Sequence, residues 1–170
     1  YLKHSGEVRP YPMEYGKNIS NYKENDFTGS KSYHVVGEYN DFFGGYFKNQ
    51  DYGFGHWSRY DEMPGQKIWI WALSRAGGIW EDLLTDTDGQ YIEFQAGRLF
   101  DQYFPGATNP ISQATFSPHT SDQWKELWFP VKDIGGLTDV SPQGILHLNI
   151  TDKKFSFGIN ALSNASGTLK

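Results

Sequence analysis

The sequence predicts an all-β fold, an antiparallel β-sandwich, from three observations. Short apolar or alternating segments recur along the 170 residues. Aromatic residues make up 17% of the chain, and 19 glycines and 8 prolines supply turns between the segments. About seven short strands separated by turn signals, with almost no helical periodicity, are typical of a sandwich.

The N-terminal third divides into an arm and the start of the core. Residues 1–31 are polar and rich in turn residues, so we expect a loop-rich arm there. Ser32–Glu38 (SYHVVGE) and Asp41–Phe47 (DFFGGYF) read as the first two core strands. The paired glycines of the second strand indicate a bulge or a close backbone approach.

Two further strands follow in the middle of the chain. Residues 52–60 (YGFGHWSRY) alternate, which places His56 on one face and Trp57 on the other. Pro64-Gly65 is a turn signal. Lys67–Leu73 (KIWIWAL) then predicts an apolar strand that is buried on at least one face, and its composition favours burial on both.

The remaining segments complete the predicted sandwich. Gly77–Leu84 has apolar residues near helical spacing and is read as a short helix or a turn, and Asp88-Gly89 is a hairpin signal. The segments that follow are a strand at Gln90–Leu99, a long loop at 101–121, and strands at Gln123–Val131, Gly144–Ile150 and Lys153–Ile159, the last two forming a hairpin through Asp152.

The sequence predicts one domain or a fragment of one, with an arm at 1–31, a core at 32–159 and a tail at 160–170. The chain opens on Tyr1 without an initiator methionine or a signal peptide, which we interpret as a mature or truncated piece.

Composition and charge exclude several classes of function. The net charge is −5 and no basic stripe is present, which argues against nucleic acid as a partner. No apolar run reaches the roughly 20 residues that a membrane-spanning helix needs. The chain has no cysteine, and its five histidines are scattered without metal-ligand spacing, so we expect neither a metal nor a cofactor.

The strand around Glu93 carries the best candidate site. Alternation places Tyr91, Glu93 and Gln95 on one face, and Gly97 leaves room for a ligand or another backbone. Polar side chains on an apolar strand are costly to bury without partners. Glu93 is therefore a candidate acid/base and Gln95 and Tyr91 are candidate ligand contacts, while a solvated sheet face or a satisfied structural network is the alternative.

His56 is the second candidate, since an imidazole can act as a general acid near neutral pH. The alternative is a core histidine bonded to a backbone carbonyl. Trp57 and Arg98 are further candidate ligand contacts, although alternation places each on the face opposite its candidate partner.

Several blocks from Asp41 onward also resemble a known family. They are DFFGGYF, GFGHW, PGQKIWIW, GGIWEDLLTDTDGQYIEFQAG and WKELWFPV. This order of blocks, over roughly residues 30–135, resembles a bacterial family of domains of unknown function within the galactose-mutarotase-like superfamily.

The resemblance implies a β-supersandwich, of which this chain would be the middle-to-late part. Mutarotases of that superfamily use a Glu in a Glu-x-Gln setting as the catalytic base, and Glu93-Phe94-Gln95 is similar. The catalytic His of those mutarotases lies in an earlier half of the fold, which we expect this chain to lack, and His56 is the candidate for that role here.

The function we expect is carbohydrate handling, with action at a sugar's anomeric centre by epimerisation or glycosidic cleavage. Two alternatives stay open, a non-catalytic carbohydrate-binding module and a structural scaffold domain, so the sequence does not decide whether the chain is an enzyme. The expected partners are a carbohydrate ligand and the missing remainder of the same domain. The expected location is a bacterial periplasm, exterior or cytoplasm.

Overall fold

The structure is a computed structural model that describes residues 1–3, 7–24, 26, 31–35, 38–71, 75–86, 89–99, 115–164, 166 and 168. Within these residues it contains twelve strands, a 3-10 helix at Tyr22–Glu24 and an α-helix, α1, at Arg75–Leu84. The strands are β1 (Leu2–Lys3), β2 (Met13–Glu14), β3 (Lys17–Asn18), β4 (Lys31–His34), β5 (Phe42–Phe47), β6 (Tyr52–Ser58), β7 (Lys67–Ile70), β8 (Ile92–Gln95), β9 (Glu126–Lys132), β10 (Asp139–Ser141), β11 (Gly144–Thr151) and β12 (Lys154–Ala161).

The chain folds into two compact units. Unit 1 comprises Tyr1–Tyr39 and Met63–Thr120, and unit 2 comprises Asn40–Glu62 and Ser121–Lys170. Every strand pair in the described ranges is antiparallel. The prediction of an all-β, antiparallel fold is therefore confirmed.

Unit 1 is built on a four-stranded sheet with the order β1-β4-β7-β8, and β2 and β3 form a separate hairpin. One face of the sheet is apolar because Tyr33, Ile68, Ile70 and Ile92 occupy alternating positions. These side chains pack with Ile19 into the core of the unit.

The arm predicted at 1–31 is more structured than a loop. It supplies three short strands, and β1 lengthens the sheet by pairing with β4. Ile19 is buried, and Tyr1 packs against the core. Two-residue strands leave no alternation to detect, which is why the sequence pattern indicated only turns.

Unit 2 consists of two three-stranded sheets, with the orders β5-β6-β9 and β10-β11-β12. Phe129 and Val131 from the first sheet pack with Val140 and Ile145 from the second, and partly buried side chains such as Trp57 surround them. Two antiparallel sheets that share one apolar core are a β-sandwich, as the sequence predicts.

The outward face of the hairpin β11–β12 is apolar as well. Ile150 lies opposite Phe155, Leu148 opposite Phe157 and Leu146 opposite Ile159. Ile150, Phe155, Phe157 and Ile159 are all exposed. This face therefore adds nothing to the core that Val140 and Ile145 form.

Several predicted elements have different bounds in the structure. The strand predicted at Gln90–Leu99 is β8, which ends at Gln95, and the strand predicted at Gln123–Val131 begins at Glu126. The paired glycines of β5 take part in a regular ladder without a bulge. A Cβ at Gly44 would lie 2.4 Å from the Phe54 carbonyl oxygen, so the close-approach alternative holds.

Parts of the predicted elements lie outside the described residues. These are Val36 of the first predicted strand, Ala72 and Leu73 of the strand that contains β7, Asp88 of the hairpin signal, and residues 101–114 of the long loop. Of the part of the chain that the structure describes, no helix has the length and apolar character that crossing a membrane requires.

Candidate functional site

Glu93 lies on β8 in unit 1, on the sheet face opposite the core. Its carboxylate accepts a hydrogen bond from Gln95 Nε2, and the Tyr91 phenol lies close enough to Glu93 for the carboxylate to affect its pKa. Tyr91, Glu93 and Gln95 thus form a row of neighbouring polar side chains on one face, which we call the Glu93 row.

The neighbouring strand β7 supplies a second row on the same face. Trp69 lies directly opposite Glu93, and Lys67 lies directly opposite Gln95. The backbone N–H of Trp71 donates a 3.3 Å hydrogen bond to the Tyr91 carbonyl. The pairing of the two segments therefore continues one step beyond β7 and β8, with Trp71 opposite Tyr91. Since directly opposed residues of an antiparallel pair share a face, Lys67, Trp69 and Trp71 face the same side as the Glu93 row.

Three indole rings form a continuous aromatic surface beside Glu93. The centroids of Trp69 and Trp71 are 5.9 Å apart, and those of Trp71 and Trp80 are 5.2 Å apart. Trp80 comes from α1, and its Nε1 is buried with no hydrogen-bond partner in the described ranges. All three rings are half-buried, so each keeps part of its surface accessible.

His34 on β4 extends this face by one more strand. It lies directly opposite Lys67, and both side chains are buried. The polar face of unit 1, defined as His34, Lys67, Trp69, Trp71, Trp80 and the Glu93 row, therefore combines a carboxylate, an amide, a phenol, an ammonium group and an imidazole with three indoles.

Burial and Glu93 together raise the pKa of the Tyr91 hydroxyl, burial being the larger cause. The phenol therefore stays protonated at neutral pH and remains a hydrogen-bond donor. The hydrogen bond from the Gln95 amide restricts the orientation of the Glu93 carboxylate, with the Tyr91 phenol beside it.

Arg98 lies outside this arrangement. Because β8 ends at Gln95, Arg98 falls in the bend that follows and not on a strand face. The strand ends where two backbones converge: Gly65 N–H donates a 3.0 Å hydrogen bond to the Gly97 carbonyl. A Cβ at Gly65 would lie 1.9 Å from the Leu99 carbonyl oxygen and 3.0 Å from the Gly97 carbonyl oxygen. The close approach of two backbones that was expected at Gly97 therefore requires a glycine at position 65.

His56 lies in unit 2, whereas Glu93 lies in unit 1. The His56 ring is fully buried on β6, and its Nε2 lies 3.0 Å from Glu126 Oε2 on β9. The predicted alternative was a core histidine bonded to a backbone carbonyl, but the partner is a carboxylate. Burial lowers the pKa of His56, although Glu126 acts in the opposite direction.

Trp57 faces the other side of the same sheet from His56. It packs against the apolar core of unit 2 beside Leu127 and Phe129. This placement follows from the alternation along β6, which the sequence predicts.

The sequence reasoning missed Lys67, Trp69, Trp71, Trp80 and His34 as members of the candidate site. The segment KIWIW was read as an apolar core strand, but its alternation sends Ile68 and Ile70 to the core and Lys67, Trp69 and Trp71 to the other face. A lysine in register with two tryptophans was the signal that could have identified this face.

Within the described ranges, His, Asp and Glu side chains form no group of three that could hold a metal ion. No solved structure matches the chain significantly. A protein-family model does match residues 1–131, which is most of the chain and includes the polar face of unit 1, β6 and nearly all of β9. The chain therefore belongs to the family described as a domain of unknown function, DUF5107.

Proposed function

We propose that the polar face of unit 1 binds a saccharide, with Glu93 as the residue that exchanges a hydrogen bond or a proton with a sugar hydroxyl. One observation carries this proposal. Glu93 lies directly opposite Trp69, accepts a hydrogen bond from Gln95 and has the Tyr91 phenol as its neighbour on the same face.

The aromatic half of the site suits the apolar face of a sugar ring. Indole rings offer a flat apolar surface, and Trp69, Trp71 and Trp80 follow one another at 5.9 and 5.2 Å. A row of this length spans more than one ring, which favours an oligosaccharide over a single sugar.

The polar half of the site suits sugar hydroxyls. An ionised carboxylate offers about four acceptor positions, and the neighbours on β8 occupy only part of that capacity. Trp80 Nε1 is a buried donor without a partner in the described ranges, and an oxygen of a ligand would satisfy it.

The finer proposal is that the domain acts at an anomeric centre. In this role Glu93 accepts the proton of a sugar hydroxyl, and a second group returns a proton to the sugar. The similarity of Glu93-Phe94-Gln95 to the Glu-x-Gln setting of galactose mutarotases supports this role, as does the resemblance to bacterial members of the galactose-mutarotase-like superfamily and their supersandwich. The counterpart predicted from the sequence is His56, whose Nε2 is already engaged by Glu126.

The second candidate function is a non-catalytic carbohydrate-binding module. The continuous row of three indoles favours it, because such a row supplies affinity without any proton transfer. The two functions differ in what Glu93 contributes. In an enzyme Glu93 determines turnover, whereas in a module affinity depends mainly on the indoles.

A saccharide array probed with the 170-residue chain tests the proposal. Wild type is compared with Glu93→Gln, which keeps the size of the side chain and removes its charge, and with Glu38→Gln, an exposed glutamate of the same unit. We expect binding by wild type and Glu38→Gln and weaker or altered binding by Glu93→Gln. Identical saccharide binding and turnover in wild type and Glu93→Gln would show that Glu93 is not part of a sugar site.

A further inference from the structure

A second carboxylate–aromatic arrangement lies in unit 2, on the face of the sheet β5-β6-β9 that is opposite the sandwich core. Phe43, His56 and Trp128 lie directly opposite one another across the three strands. Glu126 lies two residues before Trp128 on β9 and therefore on the same face. We call Glu126, His56, Trp124 and Trp128 the Glu126 cluster.

The Glu126 carboxylate is held by three N–H groups. Oε2 accepts hydrogen bonds from His56 Nε2 at 3.0 Å and from Trp128 Nε1 at 3.1 Å. Oε1 accepts a longer one, 3.4 Å, from Trp124 Nε1. Burial alone would raise the pKa of Glu126, but the hydrogen bonds from His56, Trp124 and Trp128 outweigh it and hold the pKa below its usual value.

The buried side of the cluster is the His56 ring, which packs against two other aromatic rings. The His56 ring is stacked on Phe43 with the centroids 4.6 Å apart and the planes 21° apart, and it contacts Trp128 at 4.5 Å. His56 is fully buried, so it cannot touch a ligand and instead positions Glu126 through its hydrogen bond from the buried side.

Trp124, Trp128 and Glu126 expose part of their side chains to solvent. Trp124 is 47% exposed and Trp128 is 52% exposed, and the Glu126 side chain keeps 32% of its surface accessible. Exposed tryptophans are uncommon on a surface that serves only as a solvated sheet face. An ordered carboxylate between two accessible indoles is the arrangement of a ligand site.

We propose that the Glu126 cluster is a second saccharide-binding subsite, separate from the polar face of unit 1. Both indoles point their N–H edges at the carboxylate, so their ring faces lie beside Glu126 and not over it. A cation at the carboxylate would meet the positive edges of the rings, whereas cation–π binding needs the ring faces. A sugar stacked on Trp128 can instead place an equatorial hydroxyl at Oε1, which accepts a single hydrogen bond from the described residues, the long one from Trp124.

The test uses the indole N–H signals of the 170-residue chain in a ¹H–¹⁵N spectrum, assigned by single Trp→Phe substitutions. The probes are neutral hexasaccharides of glucose, xylose and mannose at millimolar concentration, with choline as the cationic alternative. We expect one of the hexasaccharides to shift the signals of Trp124 and Trp128. Because Trp69, Trp71 and Trp80 report on the other site, failure of this subsite and failure of the function proposed above are distinguishable.

Substitutions locate the subsite independently of the spectrum. We expect Trp128→Ala and Glu126→Gln to weaken the hexasaccharide affinity measured at Trp124 by about fivefold to tenfold. Phe157→Ala, another exposed aromatic of unit 2, and Asp152→Asn, an exposed acid in the β11–β12 turn, serve as controls that keep the wild-type affinity. Unshifted Trp124 and Trp128 signals with every hexasaccharide, or a response to choline alone, would overturn the proposal, and both results are read from the wild-type chain once its signals are assigned.

Discussion

Glu93 and Trp69 occupy directly opposed positions on β8 and β7, so a carboxylate and an indole face the same side of the unit 1 sheet. The pairing follows from the register that also places Ile70 opposite Ile92 on the core face. The burial of isoleucines on one side of the sheet thereby fixes the functional groups on the other.

Trp69→Ala is expected to weaken saccharide binding more than removal of any exposed aromatic outside the site. The loss of one stacking surface corresponds to roughly 1 kcal/mol, or about fivefold in affinity. Isothermal titration with the saccharide selected on the array measures the change. Phe116→Ala, an exposed aromatic of the same unit, is the control, and equal affinities for both variants would contradict a stacking role for Trp69.

Glu14→Gln is expected to destabilise the protein strongly. The Glu14 side chain is 1% exposed, and its Oε1 lies 3.0 Å from Lys3 Nζ and 3.7 Å from Lys31 Nζ. Removal of one partner from a buried ion pair costs about 3–5 kcal/mol. Glu7 lies 2.9 Å from the same Lys3 Nζ but is 40% exposed. Glu7→Gln is therefore the matched control, and we expect it to lower the unfolding free energy measured in urea far less than Glu14→Gln does.

The lowered pKa of Glu14 predicts that the unfolding free energy depends on pH in the acidic range. Burial alone would raise the pKa of Glu14, but the neighbouring Lys3 and Lys31 ammonium groups and the Tyr33 phenol hold it below its usual value of 4.5. The unfolded chain then takes up its proton at a higher pH than the folded protein does. The stabilisation is therefore present above pH 4.5 and is lost as the pH falls through the lowered pKa. An unfolding free energy that falls equally in wild type and Glu14→Gln over this range would contradict the assignment.

Gly65→Ala and Gly78→Ala are expected to have opposite effects on stability. A Cβ at Gly65 would lie 1.9 Å from the Leu99 carbonyl oxygen, so the backbone has to move, at a cost of about 1–3 kcal/mol. A Cβ at Gly78 in α1 meets nothing within 4 Å, and alanine in a helix is favoured by about 0.5–1 kcal/mol. Thermal unfolding of the two variants measures both changes, and a neutral Gly65→Ala would refute the close approach at that turn.

His56 predicts a second pH dependence, nearer to neutrality. Burial lowers its pKa below the usual 6.5, so the unfolded chain binds the proton more readily than the folded protein. Stability therefore falls as the pH drops below about 6.5, where the unfolded chain takes up the proton. His56→Gln retains an N–H donor for Glu126 but does not titrate, and we expect a shallower fall in unfolding free energy between pH 7 and pH 5. The exposed His119→Gln serves as the control, and equal slopes in wild type and His56→Gln would contradict the assignment.

The sequence predicts the described strands of unit 2 other than β10, and the grouping of Tyr91, Glu93 and Gln95, because alternation is a local property that a three-residue strand is too short to show. It identifies α1 as a possible helix from Ile79, Leu83 and Leu84, yet these three residues are exposed, and among the described side chains of the helix it is Trp80 that packs on Trp71, next to the end of β7. The position of Trp80 depends on how the helix packs, which the local pattern does not encode.

Contacts between residues that are distant in the sequence could not be predicted. Glu126 lies 70 residues from His56, and the two meet only because β9 pairs with β6. Likewise, Trp69 becomes the neighbour of Glu93 through the register of β7 with β8. Strand pairing over such separations is a tertiary property, and a single sequence gives residue types without the register that brings them together.

Titration of the chain with the array-selected saccharide, followed at the six tryptophan indole N–H signals, tests the central claim most directly. We predict that the signals of Trp69, Trp71 and Trp80 shift with a common affinity, while that of Trp57, which packs in the unit 2 core, stays in place. A saccharide that binds without moving any of the three unit 1 signals would show that the polar face of unit 1 is not the sugar site.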